Sequence, residues 1–108
     1  MTAAAFGVVT TTVSKPEDAE RLAELVLSEK LAACVQILPI ASRYVWKGEK
    51  MQEQERMLLI KTRASLFDKV MARIAQDHPY ETPELVATPF AAGAAGYLGW
   101  IAQNTKDA

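Results

Sequence analysis

The 108-residue chain predicts an α+β fold built from two split β-α-β units. Three observations carry that prediction. Runs of β-branched or alternating residues at 5–13, 31–38, 42–62 and 84–90 have strand character. Two stretches with apolar residues at helical spacing, 15–30 and 65–77, separate them. The order β-α-β-β-α-β gives an antiparallel sheet with both helices on one face, so the opposite face needs another cover.

Residues 5–13, from Ala5 to Val13, read as an internal strand ended by a turn. Ser14 and Glu17 have capping-box spacing, Pro16 suits a first turn, and Ala19, Leu22, Ala23, Val26 and Leu27 form a helical stripe. The apolar run 31–38, closed by Pro39, predicts a strand buried on both faces, with Cys34 packed inside it as a small hydrophobe. From Ser42, Tyr44 and Trp46 alternate with Arg43, Val45 and Lys47 up to a turn at 48–50, so a hairpin follows.

The return arm of that hairpin begins with the polar run 52–56 and turns apolar at 57–60. An isolated two-stranded ribbon is marginal in water, so either a neighbouring subunit braces the polar half or it is a solvated face. Ser65 and Asp68 suggest a second capping box ahead of Phe67, Val70, Met71 and Ile74, a core-facing stripe. Residues 84–90 give a last strand, 91–96 a small-residue segment, 97–101 an apolar patch about one helical turn long, and 104–108 a frayed end.

One domain fits this length, and a net charge of -1 argues against a phosphate-backbone partner. A single cysteine excludes an intrachain disulfide, and no apolar run reaches the length of a membrane span. The start lacks the pattern of a secretory signal, so the cytoplasm is the expected location. Phosphate-loop, dinucleotide, zinc-protease and serine-elbow motifs are absent, and the expectation is a protein that is not an enzyme.

The chemistry concentrates at 78–84, His-Pro-Tyr-Glu-Thr-Pro-Glu, which holds the only histidine. Both X-Pro steps disfavour helix at His78 and Thr82, so a helix stops here and the chain leaves extended. His78 is either a metal ligand, with Asp77 and Glu81 as helpers, or a local hydrogen-bonding residue at the helix end. A metal needs three or four ligands, so one histidine per chain must borrow from neighbours. Glu81 and Glu84 make no persuasive acid and base pair.

The segments 29–34 (Glu-Lys-Leu-Ala-Ala-Cys), 44–48 (Tyr-Val-Trp-Lys-Gly), Glu55 through 59–62 (Leu-Ile-Lys-Thr), 78–84, and 97–101 (Tyr-Leu-Gly-Trp-Ile) closely resemble the CutA family of divalent-cation tolerance proteins. The resemblance spans about residues 7–102. It implies a ferredoxin-like fold with a long hairpin and a short C-terminal helix, assembled as a homotrimer similar to the PII signalling proteins. It also implies a cytoplasmic location and a link to copper and other divalent ions. Family members with a proposed copper site use a cysteine near the end of the first strand and histidines before the Pro-Tyr step. In this chain those positions hold Thr11 and the pair Asp77-His78. A threonine hydroxyl suits soft Cu(I) poorly, whereas imidazole with carboxylates suits Cu(II) or Zn at modest affinity.

The functional expectation is a cytoplasmic homotrimer in divalent-cation tolerance, binding copper or zinc weakly through His78, Glu81 and Asp77. The alternative is a PII-like signalling or partner-binding module with a small-ligand cleft between subunits near Lys61, Tyr80 and Glu84. In either case Tyr44, Trp46, Tyr80 and Trp100 are candidates for interface packing, and Lys61 for an ion pair with Glu55 or Glu84.

Overall fold

The β-branched run near the N-terminus forms a strand, β1 (Phe6–Val13), whose alternate residues Val9, Thr11 and Val13 are fully buried. In the computed structural model, which describes residues 1–107, it is followed by α1 (Pro16–Ser28), β2 (Cys34–Trp46), β3 (Glu49–Arg63), α2 (Phe67–Asp77), β4 (Val86–Pro89) and α3 (Ala95–Gln103). The sheet order is β2-β3-β1-β4 with every neighbouring pair antiparallel. This is the ferredoxin-like arrangement of two interlocked split β-α-β units.

Register decides which side chains share a face. Val9 pairs with Ile60 and Thr11 with Leu58, so these residues lie together under the helices. They meet Ala19, Leu22 and Val26 of α1 and Val70 and Ile74 of α2 in the main core. Thr62, on the same face, donates its hydroxyl to the Leu31 carbonyl at 2.6 Å, tying the loop after α1 to the sheet.

On the opposite face α3 covers only one corner, packing Leu98 and Ile101 over Phe6. Arg63 holds that helix end, donating to the Ala102 carbonyl at 2.7 Å and to Thr105 Oγ1 at 2.9 Å. The rest of the face is open. Leu38, Trp46, Met51 and Val86 are 37%, 37%, 39% and 53% exposed there.

Several expectations are corrected. Residues 31–38 and the segment from Ser42 are not two strands: β2 runs unbroken through Pro39. Its sole sheet neighbour is β3, so the missing N–H of Pro39 faces outward, where an edge strand tolerates it. That edge position also overturns burial on both faces: Leu31 and Ala32 are buried in the loop before the strand, and Cys34 is half-buried at its start.

The hairpin turn is Lys47-Gly48 rather than 48–50, with φ of 52° and 81°, because two left-handed residues match the twist of the flanking strands. Neither capping box forms. Lys15 and Leu66 occupy the cap positions with no side-chain bond, since Ser14 turns its hydroxyl elsewhere and Ser65 sits in a 3-10 turn, Ala64–Leu66. The last strand contracts from 84–90 to four residues, the apolar patch extends to a nine-residue α3, and Thr105 is buried rather than frayed. Residue 108 of the expected frayed end lies outside the described residues.

A candidate functional site of carboxylates and tyrosines

His78 leaves α2 in an extended conformation, φ −73° and ψ 135°, as the following proline demands. Its ring turns inward onto β1. The backbone N–H of Tyr80 donates to Nδ1 at 3.0 Å, which fixes the ring proton on Nε2. Nε2 lies 3.0 Å from the Thr12 carbonyl, to which it donates, and 3.1 Å from Thr11 Oγ1. Burial, the largest influence, pushes the imidazole pKa below its ordinary value against the opposing pull of the Thr12 carbonyl.

Within one copy this geometry does not bring the expected metal set together. Thr11 and His78 do meet, but both nitrogens of the neutral ring are engaged within the protein. Asp77 is drawn to the Arg73 guanidinium and Glu81 is exposed on the loop. Among the described residues no group of three or more His, Cys, Asp or Glu side chains could hold a metal ion.

The same turn delivers Tyr80 to the open face of the sheet. Its hydroxyl lies 2.6 Å from Glu55 Oε2, 2.6 Å from Ser14 Oγ and 3.2 Å from Glu53 Oε1. Ser14 donates to Glu53 Oε1 at 2.8 Å, and Tyr44 donates to Glu53 Oε2 at 2.9 Å. Three chain segments thus converge: the end of β1, the base of the hairpin and the turn after α2.

Around this network lies an open groove of about 660 Å³, walled by Tyr44, Trp46, Ile40 and Met57 and rimmed by Arg43, Glu81 and Glu84. Glu55 is only 6% exposed there. The hydroxyls of Ser14, first, and then Tyr44 hold the Glu53 carboxyl below the usual carboxylate range. Burial, followed by the bond to Glu55, raises the Tyr80 phenol well above its ordinary value, so it remains a hydrogen-bond donor.

The remaining candidates separate. Tyr80, Tyr44, Trp46 and Glu84 all border the groove, and Glu84 accepts from Thr10 Oγ1 at 3.0 Å. Lys61 does not join them: six residues along β3 from Glu55, it is about 20 Å away along the strand. It donates to Gln36 Oε1 at 2.9 Å and lies 6.0 Å from the Tyr97 ring centroid, so it pairs with neither Glu55 nor Glu84. Trp100 stacks on Tyr97 at 5.8 Å on α3. Ser14 and Glu53 were not singled out by sequence as site residues. The available signal was the i, i+2 spacing of Glu53 and Glu55, which aims both carboxylates at one face of a strand.

The fold and this network define a ferredoxin-like protein with a polar groove at the root of a long hairpin. Residues 7–104 match the family model described as CutA1 divalent ion tolerance protein. The chain belongs to that family. It is 44% identical over 99 residues to the divalent-cation tolerance protein CutA of Thermus thermophilus, covering 91% of this chain and 96% of that one. It is 43% identical over 101 residues to the chloroplastic protein CutA 1 of Oryza sativa, covering 93% of this chain and 57% of the rice protein. The solved structure of the Thermus protein superposes with a TM-score of 0.89 at 43% identity, covering 94% of this chain and 99% of that one. The periplasmic divalent cation tolerance protein CutA of Archaeoglobus fulgidus gives 0.91 at 35% identity, with 94% and 99% covered.

Proposed function

We propose that the protein acts in divalent-cation tolerance as a non-catalytic, cytoplasmic homotrimer whose working surface is the groove beside Tyr80. The single observation that carries self-association is the open sheet face, where Leu38, Trp46, Met51 and Val86 stand exposed around a polar cluster. A second copy on that face would bury them and brace the far half of the hairpin. Copper or zinc then binds weakly and through oxygen ligands completed between copies, because the ring of His78 is already committed.

Sedimentation of the intact protein tests the assembly: three copies support this reading, and a monomer at micromolar concentration removes it. Calorimetric titration with Cu(II) and Zn(II) tests the metal. Weak isotherms unchanged by His78→Ala are expected, and tight binding lost in that variant would restore His78 as a ligand.

A second reading, a PII-like module with a small-ligand cleft, is favoured by the groove volume of about 660 Å³, which falls within the ordinary range of small-molecule sites.

A further inference from the structure

Among the described residues Glu55 forms no ion pair. It is 6% exposed, yet the ion pairs among the described residues belong to Arg21, Arg63 and Arg73, all elsewhere in the fold. Its Oε2 faces the Tyr80 hydroxyl at 2.6 Å, while its Oε1 takes part in none of the side-chain hydrogen bonds of the described residues; no buried side-chain oxygen among them lacks a partner, so Oε1 is the atom that opens onto the groove. Burying a carboxylate is expensive unless it is paired and hydrogen-bonded.

Even the one partner is contested. Along the path Glu55, Tyr80, Ser14, Glu53 the oxygens lie 2.6, 2.6 and 2.8 Å apart, so three short contacts share only two hydroxyl protons. The cluster is short of a donor, and among the described residues no cation forms an ion pair with either of its carboxylates. The groove lining carries Glu53, Glu55, Glu81 and Glu84 against Arg43, with Arg56 engaged by the Ser14 carbonyl at 2.9 Å and Lys47 over the Trp46 ring, and the wall beside Glu53 is aromatic.

We propose that this groove takes the charged end of an organic cation, a primary ammonium or a guanidinium, against Glu55 and Glu53, with its apolar stem along Tyr44 and Trp46. The proposal rests on the small-ligand reading of the groove. A bare metal ion would leave the apolar wall unused and, among the described residues of one copy, would find no three-donor cluster. An ammonium or guanidinium instead supplies the missing donors, and an aromatic wall attracts it. Trp46 already draws a cation in this way, since Lys47 Nζ lies 5.5 Å from its ring centroid. The cation has two sources: a free small molecule, or a lysine or arginine side chain from a second copy of this chain.

The test uses agmatine, which carries both head groups, with 1-butanol as an uncharged control, titrated calorimetrically into the intact protein and its Glu55→Gln variant. Glu53→Gln serves in its place if Glu55→Gln loses its circular dichroism. Saturable binding of agmatine, one per chain, weakened tenfold or more by the substitution and absent for 1-butanol, supports a free cation. No agmatine binding, with the assembly dissociating at tenfold or more higher concentration in the variant, supports a side chain from the second copy. Agmatine and 1-butanol binding alike, indifferent to Glu55, would overturn the cation while leaving the cleft. No binding, with assembly unchanged in the variant, would overturn both.

Discussion

Replacing Tyr80 by phenylalanine removes one oxygen and leaves the ring in place. Among the described residues that oxygen is the sole side-chain donor to Glu55, and it also meets Ser14 and Glu53. A hydrogen bond to a charged group contributes about 1.5–3 kcal/mol, and the carboxylate left behind is 6% exposed, so water compensates little. The expected loss is therefore about 2–3 kcal/mol. With a urea dependence of about 2 kcal/mol/M, the unfolding midpoint should fall by roughly 1 M. Tyr44→Phe is the matched control. It removes an exposed hydroxyl from Glu53, which keeps Ser14, and should lower the midpoint by clearly less than Tyr80→Phe does. Both variants are compared with the parent by urea unfolding at one chain concentration, because the proposed self-association would make apparent stability depend on it. A Tyr80→Phe midpoint no lower than that of Tyr44→Phe would refute the claim that the phenol satisfies a buried carboxylate.

Gly7→Ala should destabilise by at least about 3 kcal/mol in the same assay, because the added Cβ would strike the Thr88 carbonyl and lie 2.8 Å from Pro89 Cα, both backbone atoms of the paired strand. Gly96→Ala, where nothing lies within 4 Å, is its neutral control. The folded-state pKa of His78 is depressed by burial, so its neutral ring contributes stability that is present above the unfolded value of about 6.5 and lost as the pH falls through the folded value. The stability gap between the parent and His78→Gln should thus narrow from pH 7.5 toward pH 4.5, and a constant gap across that range would remove the ring proton from the account.

Where a local signal and the tertiary fold agreed, the sequence was readable. The β-branched run of β1 and the stripe of Val70, Met71 and Ile74 became the strand and helix they resembled, and the X-Pro step at His78 ended α2 as steric rules require. Pro39 misled because its cost depends on whether the strand lies at an edge, a fact no local window contains. Ser14 misled for a related reason: a hydroxyl suited to a cap was claimed by Glu53 and Tyr80, 39 and 66 residues away in the chain. In the heptapeptide at 78–84 the sequence draws attention to the imidazole. The residue that reaches the groove is Tyr80, and its partners come from the polar arm of the hairpin, whose face is set by register with β2 and β1.

Pro39 also bears on how the chain survives its own folding. The outer side of β2 is a row of backbone groups 13 residues long with no strand paired to it among the described residues, the kind of template on which a foreign strand can grow. A missing N–H at Pro39 divides the row into stretches of five and seven residues, Cys34 to Leu38 and Ile40 to Trp46. An indiscriminate strand would have to zip across a gap, whereas a partner of fixed geometry needs to use only one side of it. Wherever that edge is bare, Pro39 should hinder indiscriminate strand addition more than pairing with a partner of fixed geometry.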